Sequence, residues 1–296
     1  MAERPDLEYA IPILARELAG RRITAVRVKK PIVLRVAVPG TLEELLVGQV
    51  LAGVERRAHF VHFRLGKAAK GKTPVELVVL PMLAGRFLLA PAADKSPGDL
   101  AVAFALDDGR ELRYRDDVQM GKVYVVPAGD FDEIAGWERI GVDVLDPAKF
   151  TREAFRALAR KRRDQAKVFL MDKSAIDAFG NAYADEALWA AKIHPKAAVR
   201  TLADAELDRL HDAMVETLRE ANEQVQKRQP PLDEKYRDFL RVRNRHGAEC
   251  PRCGDKIRKA GVHGHDAFFC PTCQVLPGGG GGLGTKSIVD WRKTKG

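Results

Sequence analysis

The placement of the cysteines constrains this chain more than any other feature. All four lie in two C-x-x-C pairs, Cys250 with Cys253 and Cys270 with Cys273, and sixteen residues separate the pairs. Two tight turns with this spacing can present four thiolates tetrahedrally to one Zn²⁺ ion. Because four thiolates fill the coordination shell and leave no site for a reactive water, we predict one structural zinc and exclude a zinc-dependent hydrolase.

The residues between the two pairs predict the shape of this zinc module. The sequence KIRKAGVHGHDAFF, residues 256–269, is typical of a β-hairpin that turns near Gly264 and projects His263, His265 and Asp266 at its tip. Two roles remain open for the module: a ribbon that only holds the fold together, or a tip that contacts a ligand. No βαβ pattern surrounds either pair, which argues against a redox role.

Charge and hydropathy narrow the class of partner. The 296 residues include 50 Lys and Arg against 41 Asp and Glu, a formal net charge of +9, which favours a polyanionic partner. No apolar run approaches the roughly 18 residues of a membrane helix, and the N-terminus lacks the pattern of a secretory signal. We therefore expect a soluble, cytoplasmic protein with no membrane partner. No cysteine is left over for a disulfide elsewhere, which suits a reducing compartment.

The first 140 residues have the pattern of β structure. Short runs at 23–28, 32–38, 59–65 and 75–83 are separated by turn signals, and an Asp-Gly turn at 108–109 joins two further runs into a hairpin. An amphipathic helix precedes them, and Pro12 is expected to kink this helix or to delay its start. Its apolar face carries Leu7, Ile11, Leu14 and Leu18. We predict a two-layer β domain over residues 1–140.

Helical periodicity replaces this pattern from about residue 148. Runs at 151–163, 165–172, 185–193 and 205–227 predict a helical domain over residues 148–240. The zinc module occupies 241–275, and a glycine-rich basic tail follows at 276–296. The predicted fold class is α+β: an N-terminal β-sandwich with flanking helices, then a helical domain and a C-terminal zinc-finger β-hairpin.

The segment FGNAYADEALWAAKIHP, residues 179–195, resembles the helix-two-turn-helix core of the formamidopyrimidine-DNA glycosylase and endonuclease VIII family. The resemblance extends through DGRELRYRD, GVDVLDPAKFTREAFRAL, RVRNRHGAECPRCG and FFCPTCQ, and covers residues 1 to about 274. It implies a two-domain clamp whose basic cleft holds double-stranded DNA, damaged or abasic, bound by a monomer at the nucleoid. The activity it implies is base excision, in which the damaged base is flipped out and its N-glycosidic bond is cleaved.

The resemblance also implies DNA contacts in the helical domain and the finger. The turn at Asn181 is expected to precede a helix beginning near Tyr183, so that free backbone N–H groups and the Asn181 amide meet a phosphate. Alternatively, Asn181 only caps the helix. By the same resemblance Lys167 and Arg245 contact DNA, and His265 stands where the family's finger tip has an arginine.

The catalytic positions differ from the family pattern. The family's N-terminal proline nucleophile corresponds to Ala2, and its proton-shuttling glutamate to Glu3. Removal of Met1 would expose a primary amine with a pKa of about 8, which can form a Schiff base. His59 replaces the family's β-hairpin lysine, a second catalytic cation, and a histidine is near half-neutral at pH 7. A packed strand residue is the alternative for His59.

The residues that would fill the gap left by an extruded base differ as well. Leu83 stands near the family's methionine wedge, and Gln119 and Met120 stand where the family has arginine and phenylalanine. Leucine and methionine can still insert between base steps, although core packing is the alternative for both. The family's lesion-capping loop is missing between the long helix and the zinc module, which argues against oxidised-guanine specificity.

Two functions remain open on this sequence. The first is a DNA glycosylase that removes the damaged base, in which Glu3 acts in acid/base catalysis and attack of the Ala2 amine on the sugar can add strand nicking. In a variant of this reading, Glu3 activates water, with no covalent step and no nicking. The second is a non-catalytic zinc protein that binds or senses damaged DNA, consistent with the joint loss of the proline, lysine and arginine. Retention of Glu3 favours the enzyme.

Overall fold

The computed structural model describes residues 3–66, 73–177 and 179–276, which fall into two compact units. Unit 1 comprises Met1–Asp146, Lys173–Gly180 and Leu218–Phe239, and unit 2 comprises Pro147–Asp172, Asn181–Thr217 and Leu240–Gly296. None of the helices in the described ranges has the length and apolar character needed to cross a membrane. The tail predicted at 276–296 lies outside these ranges from Pro277 onward.

Unit 1 contains two β-sheets and helices α1 and α2, which pack around a large apolar core, and a second apolar cluster that includes Phe60 and Trp137. The helices are α1 Arg4–Leu18 and α2 Leu42–Leu46; the strands are β1 Ile23–Val28, β2 Leu34–Val36, β3 Leu51–Arg57, β4 Phe60–Leu65, β5 Val75–Leu80, β6 Arg86–Pro91, β7 Leu100–Leu106, β8 Arg110–Arg115 and β9 Lys122–Pro127. One sheet has the order β2-β9-β5-β4-β3, and the other has the order β1-β7-β8-β6. Side chains of both sheets and of α1 share the core, which confirms the predicted β-sandwich.

Helix α1 forms where the sequence predicts a helix and buries the predicted face. Leu7, Ile11, Leu14 and Leu18 are all buried. At its start the Glu3 backbone N–H donates to Asp6 Oδ2 at 2.9 Å, which satisfies a donor that the helix leaves free. The helix begins at Arg4 and runs through Pro12, so the expected delay of its start is wrong. Past its C-terminal end, Gly20 has a φ of +76°, the left-handed conformation that a glycine adopts at low cost.

The predicted strands are confirmed with two changes. The run at 32–38 forms only the short β2, because a 3-10 turn at Pro31–Val33 precedes it. Strands β3, β6 and β9 were not predicted, and β3 and β9 complete the larger sheet. The β7–β8 hairpin turns at Gly109, whose φ is +83°.

Unit 2 contains helices and the C-terminal hairpin. The helices are α3 Arg152–Arg160, α4 Ala166–Met171, α5 Asn181–Ala190 and α6 Asp204–Arg228. The last eleven residues of α6 belong to unit 1. The hairpin consists of β10 Arg258–Val262 and β11 His265–Phe269. The hairpin turns at His263 and Gly264, as predicted. Helix α5 begins at Asn181 and not near Tyr183, so Asn181 lies within its first turn.

Candidate functional site

The four cysteine thiols of unit 2 lie together. All four Sγ atoms are within 4.8 Å of one another, with Cys250 Sγ 3.9 Å from Cys273 Sγ and Cys253 Sγ 3.4 Å from Cys270 Sγ. Sulfur atoms bound tetrahedrally at about 2.3 Å from a Zn²⁺ ion are separated by about 3.8 Å. The cluster therefore has the donor set and the size of a structural zinc site.

Buried hydrogen bonds fix this cluster to the helical part of unit 2. The Trp189 indole N–H donates to Cys250 Sγ at 3.4 Å. The Gln274 side chain accepts from the Cys270 backbone N–H at 2.9 Å and donates to the Ile193 carbonyl at 2.8 Å. Because Trp189 belongs to α5, metal binding is coupled to the position of that helix.

Lys167 does not lie where a phosphate could reach it. Its side chain is fully buried, with Nζ 2.5 Å from Asp185 Oδ1 and 2.6 Å from the carbonyl oxygen of Asp266. Arg243 pairs with the other oxygen of Asp185 at 2.9 Å. The expected DNA contact is replaced by an internal ion pair that joins α4, α5 and the finger, because an ammonium in this position needs a carboxylate in place of water.

The next residue of α5 anchors the loop that leads into the finger. The Glu186 carboxylate accepts the backbone N–H groups of Arg241, Val242 and Arg243 at 2.8, 2.9 and 2.9 Å. Asp185 and Glu186 thus hold the finger on one face of α5.

Asn181 lies at the positive end of α5. Its Oδ1 atom is buried and has no hydrogen-bond partner among the residues that the structure describes, so the side chain does not use this oxygen to cap the helix. The N-terminal end of an α-helix carries partial positive charge and favours a nearby anion. The amide and the helix end together form the arrangement expected for a phosphate contact.

The other two predicted DNA contacts of unit 2 lie on its surface. Arg245 is exposed, and its Nε donates to the Leu240 carbonyl at 2.5 Å. His265 is exposed at the hairpin tip, and partial burial together with the charges of Lys167 and Arg243 lowers its pKa. His265 therefore offers a neutral imidazole at pH 7 more often than a cation.

Glu3 is the first described residue of unit 1, and Ala2 lies outside the described residues. The Glu3 side chain is buried and packs on the backbone of Gly180, where a Cβ atom would come within 2.2 Å of Glu3 Oε1. Arg237 Nη2 lies 3.5 Å from Glu3 Oε2 and pairs with Asp6 at 2.6 Å. Only a glycine at position 180 leaves room for this carboxylate.

The segment that follows α6 is tied down along unit 1. Tyr9 donates its hydroxyl to the Pro230 carbonyl at 2.9 Å, and Lys235 Nζ donates to the Leu83 carbonyl at 2.8 Å. Arg115 also forms an ion pair with Asp233. The segment between α6 and the finger is thus held by side-chain contacts with unit 1 residues.

His59 occupies the two-residue turn between β3 and β4 and is buried. Burial lowers its pKa to about 3, and the charges of Lys173 and Arg56 act in the same direction. His59 Nδ1 has no partner within the described parts of the chain. The expectation of a half-charged imidazole is therefore wrong, because burial keeps the ring neutral at pH 7.

Two loops of unit 1 present apolar side chains to solvent. Leu83 and Met120 are each 42% exposed, which excludes the alternative of core packing for both. Gln119 lies beside Met120 with a φ of +58°, and its backbone N–H donates to the buried Asp116 at 2.9 Å.

Tyr114 holds the two loops close to each other. A Cβ atom at Gly85 would lie 2.5 Å from the Tyr114 hydroxyl oxygen, and one at Gly121 would lie 1.8 Å from it. Gly121 is required by this approach, and Gly85 is required also by the Pro81 carbonyl oxygen, which an added Cβ atom would meet at 2.1 Å. Leu83 and Met120 therefore lie on neighbouring loops.

Three family models match the chain in order. The formamidopyrimidine-DNA glycosylase N-terminal domain matches residues 1–123, the formamidopyrimidine-DNA glycosylase H2TH domain matches 140–229, and the zinc finger found in FPG and IleRS matches 247–275.

Relatives are similar to the chain over nearly its whole length. The formamidopyrimidine-DNA glycosylase of Pelotomaculum thermopropionicum is 33% identical over 285 residues, which are 93% of this chain and 100% of that protein. The chain belongs to the formamidopyrimidine-DNA glycosylase family. The family member from Brevibacillus brevis is also 33% identical, over 93% of this chain and 99% of its own length.

Solved structures of the formamidopyrimidine-DNA glycosylase family share the fold. Lactococcus lactis Fpg in complex with DNA containing an abasic site is 25% identical, with a TM-score of 0.80 over 92% of this chain and 99% of that chain. The wild-type L. lactis Fpg complex with DNA containing an oxidised pyrimidine has the same identity, TM-score and coverage.

Membership of the formamidopyrimidine-DNA glycosylase family confirms the predicted family, α+β fold class and structural zinc. The four cysteines of the finger hold one zinc ion. Gly180, Arg237 and Lys173, which the structure brings to the surroundings of Glu3 and His59, were not predicted as site residues. Gly180 lies in the recognised motif and could have been found, whereas no local pattern distinguishes Arg237 and Lys173 from the other 48 basic residues.

Proposed function

We propose that this protein is a DNA glycosylase of base-excision repair that acts on double-stranded DNA containing a damaged base or an abasic site. The observation that supports this most is the Glu3 carboxylate, which is buried at the start of α1 against Gly180 and beside Arg237. A carboxylate held in this way next to the N-terminal amine can transfer protons during cleavage of a glycosidic bond.

The Ala2 amine supplies the nucleophile in this proposal. Once Met1 is removed, the amine nitrogen bonds to C1′ of the sugar while the N-glycosidic bond breaks. The departing base takes up a proton and the nitrogen loses one, which leaves C1′ bonded to both the nitrogen and O4′. The C1′–O4′ bond then breaks and O4′ takes up a proton, which gives an imine. Loss of a C2′ proton and of the 3′ phosphate by β-elimination nicks the strand. Glu3 carries protons between these atoms.

We assign the chemistry to residues 1–140 and the grip on DNA to the helical region 148–240 and the finger 241–275. Asn181, Arg245 and His265 contact phosphates, and Leu83 and Met120, flanked by Gln119, enter the space left by the flipped base. The protein acts as a monomer on DNA of the cytoplasmic nucleoid.

Borohydride trapping tests the proposal. Protein whose N-terminus has been checked by mass spectrometry is incubated with duplexes containing either an abasic site or an oxidised base, and is then reduced. We expect a covalent adduct that maps to Ala2 and is strongly reduced by Glu3→Gln. A matched Glu133→Gln variant changes an exposed carboxylate of unit 1 and should trap normally.

The other outcomes separate the alternatives. Base release without an adduct would mean that Glu3 activates water. Retention of Met1, or binding with neither adduct nor base release on any lesion tested, would contradict the proposed chemistry.

A further inference from the structure

Lys173 is a cation of unit 1 that the proposed chemistry does not use. It lies in segment 173–177, whose backbone is fixed by three hydrogen bonds to residues 141 and 142. The Gly141 N–H donates to the Lys173 carbonyl at 2.8 Å, the Val142 N–H to Ala175 at 3.0 Å, and the Asp177 N–H to the Val142 carbonyl at 2.9 Å. The main chain therefore sets the origin of the Lys173 side chain.

Among the described residues, the ammonium group of Lys173 lies beside a sulfur atom and forms no ion pair with a carboxylate. Its Nζ lies 3.9 Å from the sulfur of Met82, and within residues 3–66, 73–177 and 179–276 no carboxylate forms an ion pair with it. Arg56, the other cation that acts on His59, is instead neutralised by Asp177 at 2.9 Å and Glu8 at 3.1 Å. A half-buried charge without a counter-ion is costly and is suited to receive an anionic ligand.

The surroundings of Lys173 link it to the loop that carries Leu83 and to the turn between β3 and β4. Met82 precedes the exposed Leu83 and has a φ of +48°, a conformation that non-glycine residues seldom adopt. On the hairpin between β3 and β4, His59 is close enough for the charge of Lys173 to lower its pKa. Burial lowers the pKa of Lys173 itself to about 8, so most of the amine is charged at pH 7.

In this protein, the positive charge expected on the hairpin between β3 and β4 is carried by a different segment of the chain. The hairpin turn carries a neutral imidazole in place of a cation. The Lys173 ammonium, which pairs with no carboxylate among the described residues, lies against Met82, and its charge acts on His59 in this turn. We infer that Lys173 binds a DNA backbone phosphate at the target nucleotide, in place of the cation missing from the hairpin. The inference rests on the proposed function, because it takes damaged DNA as the ligand.

Salt-dependent binding of a short duplex that carries one tetrahydrofuran residue, a stable abasic analogue, tests this inference. From about 50 to 200 mM salt, the slope of log K against log salt reports the number of phosphates neutralised. We expect Lys173→Gln to weaken binding about tenfold and to reduce the slope by about one, while Lys173→Arg keeps both near the wild-type values.

Two further variants make the result specific. Lys95→Gln removes the same charge from an exposed loop of unit 1 and should leave affinity and slope unchanged. Adding His59→Lys to Lys173→Gln returns a cation to the hairpin and should restore the slope. Melting temperatures within a few degrees of wild type establish that each variant is folded.

Failure of the inference is distinct from failure of the proposed function. If wild-type protein releases bases or is trapped on abasic DNA while Lys173→Gln binds with unchanged affinity and slope, Lys173 is not a phosphate ligand. If the borohydride adduct maps to Lys173, the amine acts on the sugar and the phosphate role is wrong. If wild type shows no chemistry but Lys173→Gln still loses one unit of slope, the phosphate contact stands and the enzymatic proposal fails.

Discussion

The position of the Glu3 side chain depends on the absence of a side chain at Gly180. The carboxylate occupies the space that any side chain at position 180 would need, since a Cβ atom there would lie 2.2 Å from Oε1, 2.5 Å from Cγ and 2.7 Å from the carboxyl carbon of Glu3. The atoms that would clash belong to a side chain that can rotate. A substitution at position 180 therefore displaces Glu3 more readily than it disturbs the backbone.

We predict that Gly180→Ala lowers the rate of base release about 100-fold while costing no more than about 1.5 kcal/mol of stability. The reason is that a shift of about 1 Å in a catalytic group can have an effect of this size on rate. Single-turnover kinetics and urea denaturation measure the two quantities. Gly98→Ala is the matched control, since nothing lies within 4 Å of its added Cβ; equal rates for both variants would contradict the prediction.

His59 shows how burial sets the state of a single group. Its folded-state pKa is about 3, whereas the unfolded chain has the ordinary value of 6.5. Below pH 6.5 the unfolded chain takes up a proton that the folded protein does not bind, so His59 makes the protein less stable as the pH falls towards 3.

We therefore expect the stability advantage of wild type over His59→Gln to shrink by about 2 kcal/mol between pH 7 and pH 5. Urea denaturation of both proteins at several pH values in this range measures the difference. A difference that stays constant with pH would show that His59 is not kept neutral by burial.

Among the elements of unit 2, α4, α5 and the finger meet at one buried ion pair. Lys167 and Asp185 have no exposed side-chain surface, and the Lys167 ammonium also binds the finger through the Asp266 carbonyl. Removing one partner of such a pair leaves a buried charge only partly compensated.

We predict that Lys167→Met destabilises the protein by about 3 kcal/mol, since Arg243 remains to pair with Asp185. Chemical denaturation measures this loss. The control is Lys256→Met, which breaks the exposed 3.2 Å pair with Glu249 and should cost less than about 1 kcal/mol. Similar losses of stability in the two variants would mean that the buried ion pair stabilises the protein no more than the exposed one.

For the whole molecule, the zinc ion stabilises the finger that we propose to contact DNA. The hairpin is short, and its core consists largely of Cys250, Cys270 and the side chains packed on them. Without the metal, the four zinc–sulfur bonds are lost and the cysteines become free thiols, so the hairpin loses its main source of stability.

We expect a zinc chelator to weaken binding of abasic DNA at least about tenfold and to open the finger to trypsin at Arg258 and Lys259, while the sheets of unit 1 persist by circular dichroism. Restoring zinc should reverse each change. Unaltered affinity after verified metal loss would show that the finger does not contribute to DNA binding.

The sequence by itself determined the features that rest on local spacing. The zinc ligands, the buried face of α1 and the two hairpin turns follow from residues close together in the chain, whose geometry is set by short-range sterics. Strands β3, β6 and β9 were not predicted from the sequence. Strand β3 lacks a regular apolar pattern, and the short continuous apolar runs of β6 and β9 do not by themselves distinguish a strand from a helix. Pairing with neighbouring strands stabilises all three.

The state of the candidate site was decided only by the tertiary structure. Burial turns Lys167 from an expected DNA contact into an internal partner of Asp185, and it turns His59 from a half-charged group into a neutral one. Glu3 contacts Gly180, and the charge of Lys173 acts on His59, across more than 100 positions of sequence. Desolvation and the Coulomb interaction depend on distance and solvent access in space, which spacing along the chain does not specify.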